Sequence, residues 1–245
     1  MKFALKTTAL ILVIIFIVLI VRAPASAVRR FIPPDSPVTL TNLEGTLWNG
    51  SAQIFLNAED VGLAKWVWRS GDLTELMVGY DWSLTRDGLS LNGVLASNGN
   101  EASVTATGLV ADHIINSYLQ PYDLTISGDL SLENVQAEVV DRQLNSIEGL
   151  LTWEGGATRY QLASRHYQAI VPPLVGTLGL IDNHPALTVI REGGEITLIR
   201  AELLPTGYAK LGITKRFTQL LGNPWPGRDP DHKVVLEVEE QIFLQ

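Results

Sequence analysis

The 245-residue chain contains no cysteine. A disulfide framework, Cys-ligated zinc and a thiol nucleophile are therefore excluded, although an extracytoplasmic location is not. Nor is there a basic stripe after residue 31. Residues 1–30 hold Lys2, Lys6, Arg22, Arg29 and Arg30 and no acid, which leaves 13 basic against 26 acidic side chains in the remainder. That balance argues against nucleic-acid binding, because phosphate contacts need clustered Lys and Arg.

Motifs of catalysis are equally scarce. There is no G-x-S-x-G nucleophile elbow and no P-loop. His113, His166, His184 and His232 are far apart, and none stands in an H-x-x-x-H or H-x-x-E-H setting. A metal site would have to be assembled by folding. His113, beside a helix start, and His184, in a turn, read as solvated. Asp229-Pro230-Asp231 lacks the alternating ligands and closing Glu of a calcium loop. Asp81 with Asp87, and Glu237 with Glu239, are carboxylate pairs of the kind glycoside hydrolysis uses. Glu237 and Glu239, however, share the polar face of one strand, as a charged exposed edge would. Trp48, Trp66, Trp68 and Trp82 suit either a sugar or lipid site or core packing, and packing is the expectation. The residues thus predict no enzyme, with no catalytic, cofactor-binding or metal-binding side chains.

What the chain does have begins with an uncharged run, Thr7 to Val21, bracketed by Lys6 and Arg22. Fifteen helical residues reach roughly 22 Å, short of the roughly 30 Å hydrocarbon core of a bilayer. Snorkelling of Lys6 and Arg22 and partial immersion of the flanks close that gap. Ala25-Ser26-Ala27 also has the small-x-small shape of a signal-peptide cleavage site, so a cleaved leader is the alternative. Arg22 at the end of the run and Pro24 before the site favour an uncleaved anchor. The expected order is a tail at 1–6, a transmembrane anchor at 7–27, a Pro-rich connector at 28–37 and a β-rich body at 38–245 outside the cytoplasm.

The body reads as many short strands. Val38-Thr39-Leu40, Gln53 to Asn57, Leu63 to Trp68, Tyr80 to Leu84, Leu89 to Leu91 and Ala102 to Thr107 alternate or pack β-formers, with Arg86-Asp87-Gly88 and Asn98-Gly99-Asn100 as turns. Further strands are expected at 124–132, 135–140, 143–153, 157–163, Val175 to Ile181, Ala186 to Ile190, Glu195 to Ala201 and from Val234 on. Two short helices are expected. One has Asp112 as its cap and Ile114, Ile115, Tyr118 and Leu119 as its apolar face. The other spans Ile213 to Leu221. The fold class is mainly β: a strongly curved antiparallel sheet with an apolar face, plus the N-terminal membrane helix. Leu43-Glu44-Gly45-Thr46-Leu47-Trp48-Asn49-Gly50-Ser51-Ala52 reads as a short strand bounded by glycines. It is echoed by Ile147-Glu148-Gly149-Leu150-Leu151-Thr152-Trp153-Glu154-Gly155-Gly156-Ala157. The echo suggests two similar halves, 38–121 and 122–245, although both stretches also fit ordinary glycine-flanked strands.

With its membrane segment, the Gly45-Thr46-Leu47-Trp48-Asn49-Gly50-Ser51-Ala52 signature, the Trp82-Ser83-Leu84 strand and the late Leu221-Gly222-Asn223-Pro224 turn, the chain resembles protein N of the bacterial type II (general) secretion pathway. The resemblance runs nearly end to end. It implies a single-pass inner-membrane protein with a cytoplasmic N-terminus and a periplasmic β-body. It also implies an accessory role in exporting folded proteins across the outer membrane, with other secretion components as partners and no cofactor. The alternative is a cell-envelope lipid-binding or lipid-transport protein that holds lipid in an apolar groove. An envelope hydrolase working with carboxylates ranks far behind.

Overall fold

The structure, a computed structural model, describes residues 22–33, 36–71, 76–141, 143–162 and 164–241. The apolar run 7–21 and the tail before it lie outside the described residues. Among the described residues no helix is long and apolar enough to cross a membrane. The chain divides into two compact units, Met1–Arg86 and Asp87–Gln245. This division falls in the Arg86-Asp87-Gly88 turn, whereas the sequence suggested halves meeting at 121 and 122.

The first unit is an antiparallel meander of β1 (Val38–Gly45), β2 (Asn49–Leu56), β3 (Glu59–Arg69) and β4 (Val78–Arg86). Strict alternation sorts its side chains. Trp66 and Trp68 of β3 stand opposite Trp82 and Tyr80 of β4, and Ala64 opposite Leu84. The intervening residues Lys65, Val67 and Arg69 face Ser83, Asp81 and Gly79 on the other side. Before β1, Ala25–Phe31 forms a 3-10 helix against β1 and β2. The chain is therefore already docked on the hairpin within the stretch expected to be anchor and connector.

Leu43 to Ala52 is not a strand. Glu44 pairs with Ser51 and Gly45 with Gly50, so the stretch is the hairpin between β1 and β2, and Leu47 and Trp48 form its tip. The physical reason lies in Gly45 and Thr46. Gly45 adopts φ +81°, a conformation open to glycine. The Thr46 hydroxyl accepts the backbone N–H of Trp48 at 3.2 Å and of Asn49 at 3.1 Å, which closes the turn. The supposed echo, by contrast, covers the end of one long strand at Trp153 and the Glu154-Gly155 break that leads into the next.

The second unit holds β5 (Leu89–Ser97), β6 (Glu101–Val110), α1 (Asp112–Leu119), a 3-10 turn (Gln120–Tyr122), β7 (Leu124–Ile126), β8 (Leu130–Val140) and β9 (Gln143–Trp153). There follow β10 (Gly156–Leu162), β11 (Arg165–Val171), β12 (Leu174–Ile181), β13 (His184–Arg191), β14 (Thr197–Leu203), β15 (Tyr208–Thr214), α2 (Lys215–Leu220) and β16 (Val234–Gln241). Its larger sheet runs in the order β5-β6-β8-β9-β12-β13-β14-β15-β16, and β11-β10-β7 form a small second sheet. Register shifts interrupt the β6–β8, β8–β9, β13–β14 and β15–β16 pairings, and each bulge bends its strand.

The core lies where α2 and the small sheet cover one apolar stretch of the large one. Trp153 faces Leu130 on β8 and Leu174 on β12. Trp153 and Leu174 form a buried cluster with Val171 and Leu198, which Leu130, Ile126, Ala169, Phe217, Leu220 and Leu221 close. The indole N–H of Trp153 donates to the carbonyls of Ser127 and Gly128, both at 3.1 Å, tying the start of β8 to the end of β9.

Three other expectations change. Asp112 is the first residue of α1, not its cap. Its own N–H donates to the Asp129 carboxylate at 3.1 Å, so the capping acid comes from a neighbouring turn. Ile213 belongs to β15, opposite Ile199 and Leu236, and α2 starts only at Lys215. The buried Thr214 hydroxyl donates to backbone carbonyls of Thr197 and Leu198 and holds that strand end in the sheet. The strands β11 and β15 were not anticipated. Arg165-His166-Tyr167-Gln168 is too polar to read as a strand, and Lys210 and Gly212 dilute the alternation of β15.

Candidate interaction surface

Among the described residues, no cluster of acid–base or ligating groups emerges from folding. His113 lies on α1, His166 on β11, His184 at the start of β13 and His232 in the loop before β16. Among the described residues no three His, Cys, Asp or Glu side chains converge as a metal site would require. Asp81 is exposed on β4 and pairs with Arg69 at 3.4 Å. Asp229 and Asp231 brace their own loop. Asp229 accepts from Lys233 at 2.7 Å, which holds its carboxyl below the usual range, and Asp231 accepts from Gln219 at 2.9 Å. Lys215 in turn donates to the backbone carbonyls of Gly227 and Asp229 at 2.9 and 2.7 Å. The loop is a strapped connection into the last strand.

Two surfaces stand out instead, one in each unit. The first is the aromatic face of β2, β3 and β4. Trp48 and Trp68 meet edge to face with centroids 5.1 Å apart. Trp66 crosses above Gly50, and its indole N–H donates to the carbonyls of Thr46 and Leu47 at 3.3 and 3.1 Å. The hairpin tip is thus pinned by a tryptophan one strand away. The indole N–H groups of Trp68 and Trp82 are buried without an acceptor among the described residues. Burial also raises the Tyr80 phenol above its ordinary pKa. The four tryptophans singled out in the sequence therefore gather on one face, partly buried.

The second surface is the outer edge of β16. Its inner edge pairs with β15 from Tyr208–Gln241 to Thr214–Val234. Among the described residues no strand pairs with its outer edge. The register shift at Val235 turns Val234, 40% exposed, to the face of Glu237, away from the face expected of it. Leu236 and Val238 are 41% and 45% exposed on one face. Glu237 and Glu239 alternate with them on the other, as expected. Lys210 lies opposite Glu239 and donates to Glu237 at 3.0 Å, which raises the Lys210 pKa. The stretch from Leu236 to Glu240, free of proline and beyond the bulge at Val235, is a template for another strand.

Tyr122 secures this edge. Its phenol donates to the Glu240 carboxylate, and this bond, more than partial desolvation, raises its pKa. A group whose folded pKa is raised contributes its stability below the unfolded value, and loses it as pH rises through the folded one. Tyr122→Phe is expected to speed amide exchange at the Glu240–Gln241 end of β16 at neutral pH while leaving β12 and β13 protected. Unchanged exchange at that end would show that the bond does not hold it.

Comparison with known proteins draws these features together. No curated protein and no solved structure matches the chain. Residues 36–221, from the connector through the end of α2, match the model of the family described as type II secretion system (T2SS), protein N. That span takes in both the tryptophan-pinned hairpin and the Trp153 core, and covers well over half of the sequence. The chain belongs to the type II secretion system protein N family, and with it to the type II route of protein secretion.

Proposed function

We propose that the chain is an accessory, non-catalytic component of the type II secretion machine that works by protein–protein contact. The apolar run 7–21 holds it in the inner membrane with the N-terminus cytoplasmic, and the β-rich body from residue 38 lies in the periplasm. Membership of the family supports the pathway. The observation that carries the mode of action is the free outer edge of β16. A partner segment there would extend the sheet by backbone hydrogen bonds, with Glu237 and Glu239 on one face and Leu236 and Val238 on the other selecting its side chains.

The test is genetic. In a strain lacking the chain, folded substrates of the type II route are expected to collect in the periplasm, and the full chain supplied in trans is expected to restore their release. Undiminished export from the deletion strain would overturn the proposal.

A further inference from the structure

The way the chain enters its first unit fixes which end of that unit meets the membrane. The carbonyl of Ala23 accepts the backbone N–H of Leu47 at 2.9 Å, and Pro24 forms an antiparallel bridge with Thr46. Ala25, 1% exposed, is buried against the body. The Arg29 guanidinium donates to the carbonyl of Leu40 at 3.1 Å. Docking therefore starts at residue 23, while the apolar run of the sequence ends at Val21. Arg22 alone separates them. One to two extended residues reach no more than about 7 Å, and a cross-strand pair adds about 5 Å, so the Thr46–Asn49 hairpin tip lies within about 12 Å of the end of the run.

What gathers at this end suits lipid. The strand register puts the Trp48 tip, the Trp68–Tyr80 pair and the start of β4 at the same end of the sheet, away from the Leu56–Glu59 turn. Leu76, just before β4, is 85% exposed, the most exposed of the large apolar side chains described, and Val78 is 42% exposed. Exposed leucine beside tryptophan is the composition of an interfacial contact. Arg22, just before the docked segment, and Arg30 on it are exposed, where cations meet anionic headgroups.

We propose that this pole of the first unit rests in the interfacial layer of the bilayer, with Leu76 and the Leu47–Trp48 tip at the boundary between headgroups and acyl chains. The inference rests on the membrane anchor proposed above. It adds that the body is not held away on a loose tether but seated on the lipid by its hairpin end.

The absence of cysteine makes the test direct. The full chain carrying Leu76→Cys, labelled with an environment-sensitive fluorophore, is reconstituted into vesicles of phosphatidylethanolamine and phosphatidylglycerol. Glu59→Cys, exposed at the opposite end of the same sheet, provides the comparison. The label at residue 76 is expected to emit at shorter wavelength and to be quenched by aqueous iodide several-fold less than the label at 59. Equal quenching at both sites, in protein that floats with the vesicles and resists carbonate extraction, would overturn the seating while leaving the anchor intact. Protein that carbonate strips from the vesicles would overturn the anchor, and the seating with it.

Discussion

Trp153→Ala is expected to destabilise the second unit by about 4 kcal/mol, the middle of the range for removal of a buried aromatic. Its ring occupies the contact between β8, β9 and β12, against Leu130 and Leu174, within the cluster that Val171 and Leu198 complete. These neighbours belong to paired strands and cannot collapse far into the space left behind. The substitution also removes the N–H that serves the carbonyls of both Ser127 and Gly128. Trp153→Phe separates the two contributions. It keeps most of the apolar volume and loses the donor, so its expected cost is smaller, about 1–2 kcal/mol. Urea unfolding followed by circular dichroism measures the difference, and hydrogen exchange locates it. Protection should fall in β8, β9 and β12 of the Trp153→Ala protein. A loss below about 1 kcal/mol would mean that Trp153 does not organise the core.

The second large effect belongs to Gly50. A Cβ at this position would stand 2.6 Å from Cζ2 of Trp66, 2.7 Å from the carbonyl oxygen of Glu44 and 2.8 Å from that of Thr46. The ring could swing aside only by giving up its bonds to Thr46 and Leu47. The two backbone oxygens cannot withdraw without opening the hairpin. Gly50→Ala is therefore expected to cost about 3 kcal/mol, the upper range for overpacking. Because the first methyl already meets backbone, Gly50→Val should add comparatively little. Tryptophan emission should shift to the red in both variants as the cluster around Trp66 and Trp48 loosens. If Gly50→Ala unfolds at the wild-type urea midpoint with unchanged emission, Trp66 does not depend on a bare backbone beneath it.

Gly50 also shows where sequence was informative and where it was not. Gly45 and Gly50, on either side of Leu47 and Trp48, marked a place of close backbone approach, and that is what the fold contains. The same stretch was nevertheless assigned to a strand. The turn depends on the Thr46 hydroxyl reaching two backbone N–H groups and on a positive φ at Gly45, neither of which shows in a pattern of apolar residues. Strands with clean alternation, such as Tyr80-Asp81-Trp82-Ser83-Leu84 and Leu236 to Glu239, emerged with the expected facing, whereas the register shift at Val235 reversed that of Val234. β11 escaped notice because a strand in a small, half-covered sheet has little need of apolar residues, as His166 and Gln168 illustrate. Ile213 suited a helical spacing with Phe217, Leu220 and Leu221, but pairing with Ile199 and Leu236 outweighed that periodicity. The resemblance between residues 43–52 and 147–157 did not survive either, since one is a hairpin and the other passes from the end of β9 into β10, a strand of the other sheet. What the two units share lies elsewhere: a tryptophan indole clasping two consecutive carbonyls, Trp66 in the first and Trp153 in the second.

The interaction surfaces were less legible than the strands. The four tryptophans could be picked out by residue type, but not the fact that Trp48, Trp66, Trp68 and Trp82 gather at one end of one sheet. That arrangement follows from the register of β2, β3 and β4. The acidic face of the last strand was visible in the alternation of Glu237 and Glu239. That its other edge would be free was not, because strand order is a property of the whole sheet.

The most direct test of a role exercised through β16 is photo-crosslinking in intact membranes, with a photoreactive residue in place of Val235 and the full chain at its natural level. A component of the type II secretion machine attached to the probe, and lost when the same probe is moved to the exposed Glu192 turn, is the expected result. Adducts with phospholipid or lipopolysaccharide alone, or none that depends on the position of the probe, would contradict it.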